Sequence, residues 1–357
     1  MRTPSTAYGI AISIDELAAT RTVVSEREAE RYAQVHYGLD VRAKRLATEK
    51  DDTFRLDGED GQFILKIANP AERIDEIDFQ NALLQHIERV APGLPVPRLR
   101  PNRVGEANTC IALSDSEQRQ ARLLSYIPGT PLDTSPSSVR LRENIGEILA
   151  QLRLALVDFS HSADTRAVLW DVTNVLNLSH LLGEIDDANR RCKVERTLEH
   201  FESVVPALEA CRRQVLHNDF NANNIVVSAQ NPEMVGGVID FGDAVRTAIA
   251  VDVSTALVNQ MPKQTGLDRI DLFDEARDVL RGYLRYAELT DEELRLIPSL
   301  AFGRTATRIL LSYWRAKLFP DNALYILRHT EASWPHVDWF LSLSADQIAG
   351  LLIDQRR

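Results

Sequence analysis

The stretch Val215–Asp243, VLHNDFNANNIVVSAQNPEMVGGVIDFGD, decides how the rest of the chain is read. It holds His217, Asp219 and Asn224 in a His-x-Asp-x-x-x-x-Asn run, followed by the β-branched run Ile225–Val227 and a turn. A second short strand then ends in Ile239-Asp240-Phe241-Gly242-Asp243. Asp219, Asn224 and Asp240 are hard oxygen donors or bases carried on loops at strand ends. Such a set suits holding a hydroxyl beside a metal-bound phosphate.

Working upstream, Ser25–Tyr37 opens with Ser25 and Glu28 in the capping-box arrangement, and Gly38 is a natural stop. Val41–Leu56 and Gln62–Ala68 read as strands around the turn Asp57–Gly61. In the second strand Phe63, Leu65 and Ile67 alternate with Ile64, Lys66 and Ala68. Lys66 is then either a snorkelling strand residue or a phosphate ligand. Ala71–Val90 carries Ile74, Ile77, Leu84 and Ile87 at helical spacing, a proline-rich connector follows at Pro92–Pro101, and short strands are expected near Cys110–Leu113 and Ala121–Tyr126. After Gly129 helical patterns dominate: Ser135–Asp158, Val175–Leu182, Asp187–Cys211, Val251–Asn259, Asp268–Ala287, Asp291–Lys317 and Ala345–Ile353. The expected organisation is a small β-rich lobe with one long helix, residues 1–127, and a larger mainly helical lobe, residues 128–357. Residues 1–24 are expected to be flexible.

At 357 residues the chain can bury a core large enough for two lobes. Its 44% hydrophobic and 26% charged content are those of an ordinary globular protein. The net charge of −11 disfavours nucleic acid as a partner, because neutralising phosphates needs clustered Lys and Arg. The three cysteines, Cys110, Cys192 and Cys211, are far apart and odd in number, which reads as free thiols in a reducing compartment. Tyr8–Ile14 is interrupted by Asp15 and Glu16 and makes no signal peptide, and no apolar run reaches membrane-spanning length, so no membrane association and a cytoplasmic location are expected.

Common phosphate, dinucleotide, zinc-protease and hydrolase signatures are absent. The segments HNDFNANN (His217–Asn224), IDFGD (Ile239–Asp243), FILKIANP (Phe63–Pro70) and LLSYIPG (Leu123–Gly129) together resemble the aminoglycoside phosphotransferase/choline kinase family. That family consists of small-molecule kinases with a protein-kinase-like fold, so the resemblance implies a bilobal α+β architecture with an antiparallel-sheet N-lobe and a helical C-lobe. It further implies ATP, with GTP as the alternative, and Mg2+ as cofactors. Carried over residue by residue, Asp219 is the catalytic Asp that takes or orients the substrate hydroxyl proton, and Asn224 and Asp240 hold magnesium. Lys66 contacts the α/β-phosphates, and Ser125 and Ile127 meet adenine through their backbones. His217 is expected to support the loop by packing and hydrogen bonding.

Thr48–Phe54, Gln80-Asn81, Leu169-Trp170-Asp171 and Pro320–Tyr325 look like signatures of the hydroxylysine kinase-like branch, which implies a small hydroxyl-bearing amine or amino acid as acceptor. Asp171 also reads as a helix N-cap, Trp170 as a core aromatic, and Asp252 as a cap for the helix after the metal loop. The wider family pairs the strand lysine with a helix Glu; here Gln80, Glu76 and Asp78 compete for that place, and Asp78 is taken as the partner. Some relatives in this branch are fused to a pyridoxal-phosphate enzyme, which for this chain would be a separate protein. Two other readings stay open, an antibiotic phosphotransferase of the aminoglycoside type and a non-catalytic nucleotide-binding pseudokinase. Specificity is expected around Asp171, Asp243 and Arg304–Arg308, where acids would suit an ammonium group and Arg a carboxylate.

Overall fold

The computed structural model describes residues 22–48, 51–113, 117–262, 271–320, 323–328 and 330–353. The expectations for residues 1–21, for Glu49-Lys50, for Asp321-Asn322 of the late Pro320–Tyr325 signature, and for the start of the helix at Asp268 lie outside these. The chain divides into two compact units, Met1–Ile127 with His161–Leu169, and Pro128–Ser160 with Trp170–Arg357.

In the first unit, Ser25 caps α1 (Glu26–Tyr32): its hydroxyl accepts the Glu28 N–H at 3.3 Å and Glu28 returns to the Ser25 N–H at 2.7 Å. The helix continues as a π turn, Ala33–Tyr37, and stops at Gly38, whose φ of 74° suits a residue without Cβ. The single strand expected over Val41–Leu56 is instead an antiparallel hairpin, β1 (Val41–Leu46) and β2 (Asp52–Gly58). No Gly or Pro marks its turn. Thr48 closes it by donating to Asp51 O at 2.7 Å. Asp52 is drawn wholly inside by Arg45 at 2.6 Å and Arg119 at 2.7 Å.

β3 (Gly61–Ile67), α2 (Ile74–Val90), β4 (Leu99–Arg100), β5 (Thr109–Ala112) and β6 (Gln118–Ser125) follow. The sheet runs β1-β2-β3-β6-β4, with β5 also on β6, and every pairing is antiparallel. Leu65 and Ile67 of β3, with Ala121 and Leu123 of β6, pack with Val24, Ala29 and Tyr32 on one face. Fully burying each large apolar side chain stabilises the fold by about 1.5–3 kcal/mol. Because the side-chain period is two, Lys66 points to the other face, where the register sets it opposite Arg122.

The second unit contains β7 (Gly129–Pro131), α3 (Val139–Ala155), α4 (Ala188–Glu209), β8 (Arg213–Leu216), β9 (Ile225–Ser228), β10 (Val235–Val238), β11 (Val245–Ala248) and α5 (Ile249–Val258). It is completed by α6 (Ala276–Leu284), α7 (Asp291–Leu318), α8 (Ala323–Leu327), α9 (Ser333–Leu341) and α10 (Ala345–Gly350). The helix expected at Val175–Leu182 is a 3-10 helix, Val172–Glu184, and Asp171 caps it by accepting the Thr173 N–H at 3.0 Å. α3 and α6 touch backbone to backbone: a Cβ on Gly146 would collide with Val279 O, and one on Gly282 with Glu143 O. Arg142 of α3 clamps the pair through Asp278 of α6 at 2.8 Å. α7 is the spine, buried along most of its length. Cys110, Cys192 and Cys211 are unpaired thiols. Among the described residues no helix is long and apolar enough to cross a membrane.

Candidate active site

The hairpin β9–β10 places the first two functional candidates. Ile225 lies opposite Val238, and the Ile239 N–H carries the ladder one step further to Asn224 O at 2.8 Å. Asn224, immediately before β9, and Asp240, just after β10, are therefore neighbours at one end of the same hairpin. Asp219 joins them through Asn224, whose Nδ2 donates to Asp219 Oδ2 at 2.8 Å and to its backbone oxygen at 3.0 Å. With its amide nitrogen turned to Asp219, Asn224 presents Oδ1 on its other side.

Asn218 and Asp240, with φ of 64° and 61°, are the two non-glycine residues with left-handed backbones among those described. Asn and Asp tolerate that region best, and such positions persist where surrounding bonds over-determine them. Gly242 N–H donates to Asp240 Oδ1 at 3.3 Å. Asp252 braces the other position: its carboxylate accepts the His217 N–H at 3.0 Å and the Asn218 N–H at 2.6 Å. This replaces the capping role expected for Asp252, since α5 begins with no side-chain cap. Burial pushes the Asp252 carboxyl up to about 6, opposed by His217 and the two N–H bonds.

Both His217 ring nitrogens serve the backbone. Nδ1 accepts the Asp219 N–H at 3.3 Å, which leaves the proton on Nε2 to donate to Ile239 O at 3.0 Å. The ring also packs on Phe241, with centroids 4.7 Å apart. His217 thus ties the Asp219 loop to the strand that carries Asp240.

Arg304 of α7 is the contact that sequence reasoning did not assign. Its Nη2 meets Asp219 Oδ1 at 2.6 Å, Nη1 donates to the Trp170 carbonyl, and the guanidinium lies 5.1 Å from the Trp170 ring centroid. The Leu169-Trp170-Asp171 signature gains a physical reason: Trp170 seats the arginine that seats Asp219.

Lys66, Asp78, Ser125 and Ile127 belong to the first unit. Lys66 Nζ is 3.4 Å from Asp51 Oδ2. The pairing expected between Lys66 and Asp78 is not what the structure has. Asp78 lies on the exposed face of α2 and accepts from Asn108 Nδ2 at 2.6 Å. Glu76 is engaged by Arg166 at 3.3 Å. Gln80 and Asn81, on the buried face, hold Arg122, with Asn81 Oδ1 accepting from Arg122 Nη1 at 3.2 Å. Gln80 also donates to Glu72 at 2.8 Å. Burial and the Asp51 charge push the Glu72 carboxyl up, while Arg122 and Lys66 pull it down. Acids from the turns flanking the sheet therefore serve Lys66 where a helix acid was expected. At the end of β6, Ser125 N–H donates to Arg98 O at 2.8 Å and its hydroxyl accepts the Arg98 N–H at 2.8 Å.

Comparison with known proteins identifies the family and the fold. The profile of the "Phosphotransferase enzyme family" matches residues 43–293, well over half of the chain. The hydroxylysine kinase of Mus musculus is 24% identical over 345 residues, covering 90% of each chain. A microcompartment-associated aminopropanol kinase of solved structure superposes with a TM-score of 0.68 at 19% identity, covering 89% of this chain and 98% of that one. An amicoumacin kinase solved in complex with AMP-PNP, Ca2+ and Ami superposes at 0.66 and 16% identity, covering 87% and 93%. The structural likenesses establish a protein-kinase-like α+β fold, and with the match over residues 43–293 the chain belongs to the phosphotransferase enzyme family.

Proposed function

We propose that this phosphotransferase moves the terminal phosphoryl group of ATP to the hydroxyl of a small amine or amino acid, of the kind that the name of its mouse relative indicates. The observation that carries the reading is the gathering of Asp219, Asn224 and Asp240 at one hairpin end, with Asp219 held by Asn224 and Arg304. Phosphoryl transfer asks a protein mainly for positioning and charge stabilisation, and this set supplies both. The acceptor oxygen attacks the terminal phosphorus, the bridging P–O bond breaks to release the nucleoside diphosphate, and the hydroxyl proton passes to the Asp219 carboxylate.

The donor chemistry fits a hard divalent cation. The protein side of the site is assigned to Asn224 Oδ1 and the Asp240 carboxylate, the oxygen donors that flank the β9–β10 hairpin. Two oxygen donors completed by phosphates and water are what magnesium uses in such enzymes. Bound there, Mg2+ would supply charge neutralisation on the phosphates. In the sheet unit Lys66 is assigned to the α/β-phosphates. Ser125 offers its carbonyl to adenine, since its N–H is already bonded to Arg98 O, and Ile127 offers its N–H.

Purified protein with ATP, Mg2+ and a panel of 5-hydroxylysine, homoserine, simple amino alcohols and an aminoglycoside tests the reading, with Asp219→Asn as control. Turnover on the small acceptors, lost in the variant, is expected. Nucleotide binding without phosphorylation of any acceptor would refute it in favour of a binding-only module, and turnover of the aminoglycoside alone would move the acceptor to an antibiotic.

A further inference from the structure

Arg304 and Arg308 sit one turn apart on α7, on the same helical face. Their surroundings differ sharply. Arg304 is fully committed, to Asp219, to the Trp170 carbonyl and to the Trp170 ring. Arg308 is half-buried and makes one long contact, Nη2 to Asn259 Oδ1 at 3.4 Å. That amide is itself fixed, because Asn259 Nδ2 donates to Thr255 O at 2.7 Å. Among the described residues no carboxylate lies within ion-pair distance of Arg308.

Arg308 nevertheless lies within electrostatic reach of both Arg304 and Asp219. Burial and the Arg304 charge push its guanidinium down to about 10, and Asp219 opposes them. Arg308 thus feels the charge of Asp219, but that carboxylate is ion-paired with Arg304 and not with Arg308. A surplus cation beside the residue assigned to the acceptor hydroxyl is a costly arrangement for an empty protein and a favourable one for an anionic substrate.

We propose that Arg308 is the carboxylate anchor of the acceptor site, so that the preferred substrate is a hydroxy α-amino acid and not the corresponding amino alcohol. The planar fork of a guanidinium matches a carboxylate through two parallel N–H···O bonds, and Asn259 keeps the fork turned for it. The inference rests on the kinase reading above and adds to it the substrate's second functional group. An oxyanion at Arg308 could also be a phosphate of the nucleotide, and the experiment separates the two sources.

Steady-state rates are measured for acceptor pairs that differ only by the carboxylate: homoserine with 3-aminopropan-1-ol, and 5-hydroxylysine with 1,5-diaminopentan-2-ol. Wild type, Arg308→Met and Arg308→Lys are compared, with thermal unfolding showing that each variant folds. Arg308→Met should lower kcat/KM for the amino acids on the order of 10²-fold, mainly through KM. It should leave the amino alcohols and the KM for ATP unchanged, and Arg308→Lys should recover part of the loss. An equal loss on both members of a pair, or a raised KM for ATP, assigns Arg308 to the phosphates or to the fold and overturns the proposal. Wild-type preference for the amino alcohols overturns it as well. If the wild type phosphorylates neither member of either pair, the kinase reading fails and takes the anchor with it, an outcome distinct from all the others.

Discussion

Replacing Arg304 with Met tests whether the ion pair at the centre of the site serves catalysis. The substitution removes the 2.6 Å contact to Asp219 Oδ1, the bond to the Trp170 carbonyl, and the stacking on Trp170. A hydrogen bond to a charged group contributes about 1.5–3 kcal/mol. At about 1.4 kcal/mol per tenfold in rate, losing it from Asp219, the proposed base, lowers kcat by roughly 10- to 100-fold. The loss should fall short of the roughly 10²–10⁴-fold carried by a general base, because Asp219 keeps both bonds from Asn224. A coupled nucleotide-diphosphate assay on wild type, Arg304→Met, Arg304→Lys and Asp219→Asn reads kcat and the KM for ATP separately. The KM should stay constant across the Arg304 series. Lysine should be intermediate, since one ammonium cannot reproduce the fork that reaches Asp219 and Trp170 together. A folded Arg304→Met enzyme with unchanged or raised kcat would refute the reasoning, and a rise would mean that the pair holds Asp219 back.

Asp252→Asn should change how stability responds to pH. Burial raises this carboxyl from 3.8 to about 6, so the native state binds its proton more tightly than the unfolded chain. The stabilising contribution is full below the unfolded value and lost as pH rises through about 6, at about 1.4 kcal/mol per pH unit. Urea unfolding should show the wild type losing stability relative to the variant between pH 4 and 6, roughly, and a flat difference would exclude this account. Asp52→Asn leaves Arg119 buried without its counter-charge and should lower unfolding free energy by about 3–5 kcal/mol in the same measurement, whereas an unchanged curve would mean that desolvation already cancels the pair. Asp240→Asn should raise the Mg2+ concentration for half-maximal rate on the order of tenfold or more, and an identical magnesium titration would remove Asp240 from the metal site.

Much of this was legible because the determinants are local. The Ser25/Glu28 box, the Gly38 stop and the alternation around Lys66 act over a few residues. The nearness of Asn224 and Asp240 follows from two short strands joined by a turn. What escaped depends on distant partners. α7 is buried along most of its length, so helical periodicity could not say that Arg304 turns toward Asp219. Asp252 reads as a cap because it sits in the first turn of a helix; its acceptors' true donors are two backbone N–H groups of another loop. The hairpin at Val41–Gly58 was hidden because Thr48 and a buried acid make its turn in place of Gly or Pro. The analogy with a helix acid points to Asp78, yet that residue falls on the solvent side, while the Lys66 partner comes from the turn before β2.

The brace from Asp252 bears on how such loops can be moved between proteins. The segment His217–Asn224 looks like a self-contained cassette, short enough to graft onto any suitable hairpin. Its left-handed residue is kept in place by a carboxylate that arrives from a helix further along the chain. A recipient scaffold given the cassette alone would receive the reactive side chains without the acid that sets their backbone. A transplant that keeps this backbone must therefore run at least from β8 through the first turn of α5.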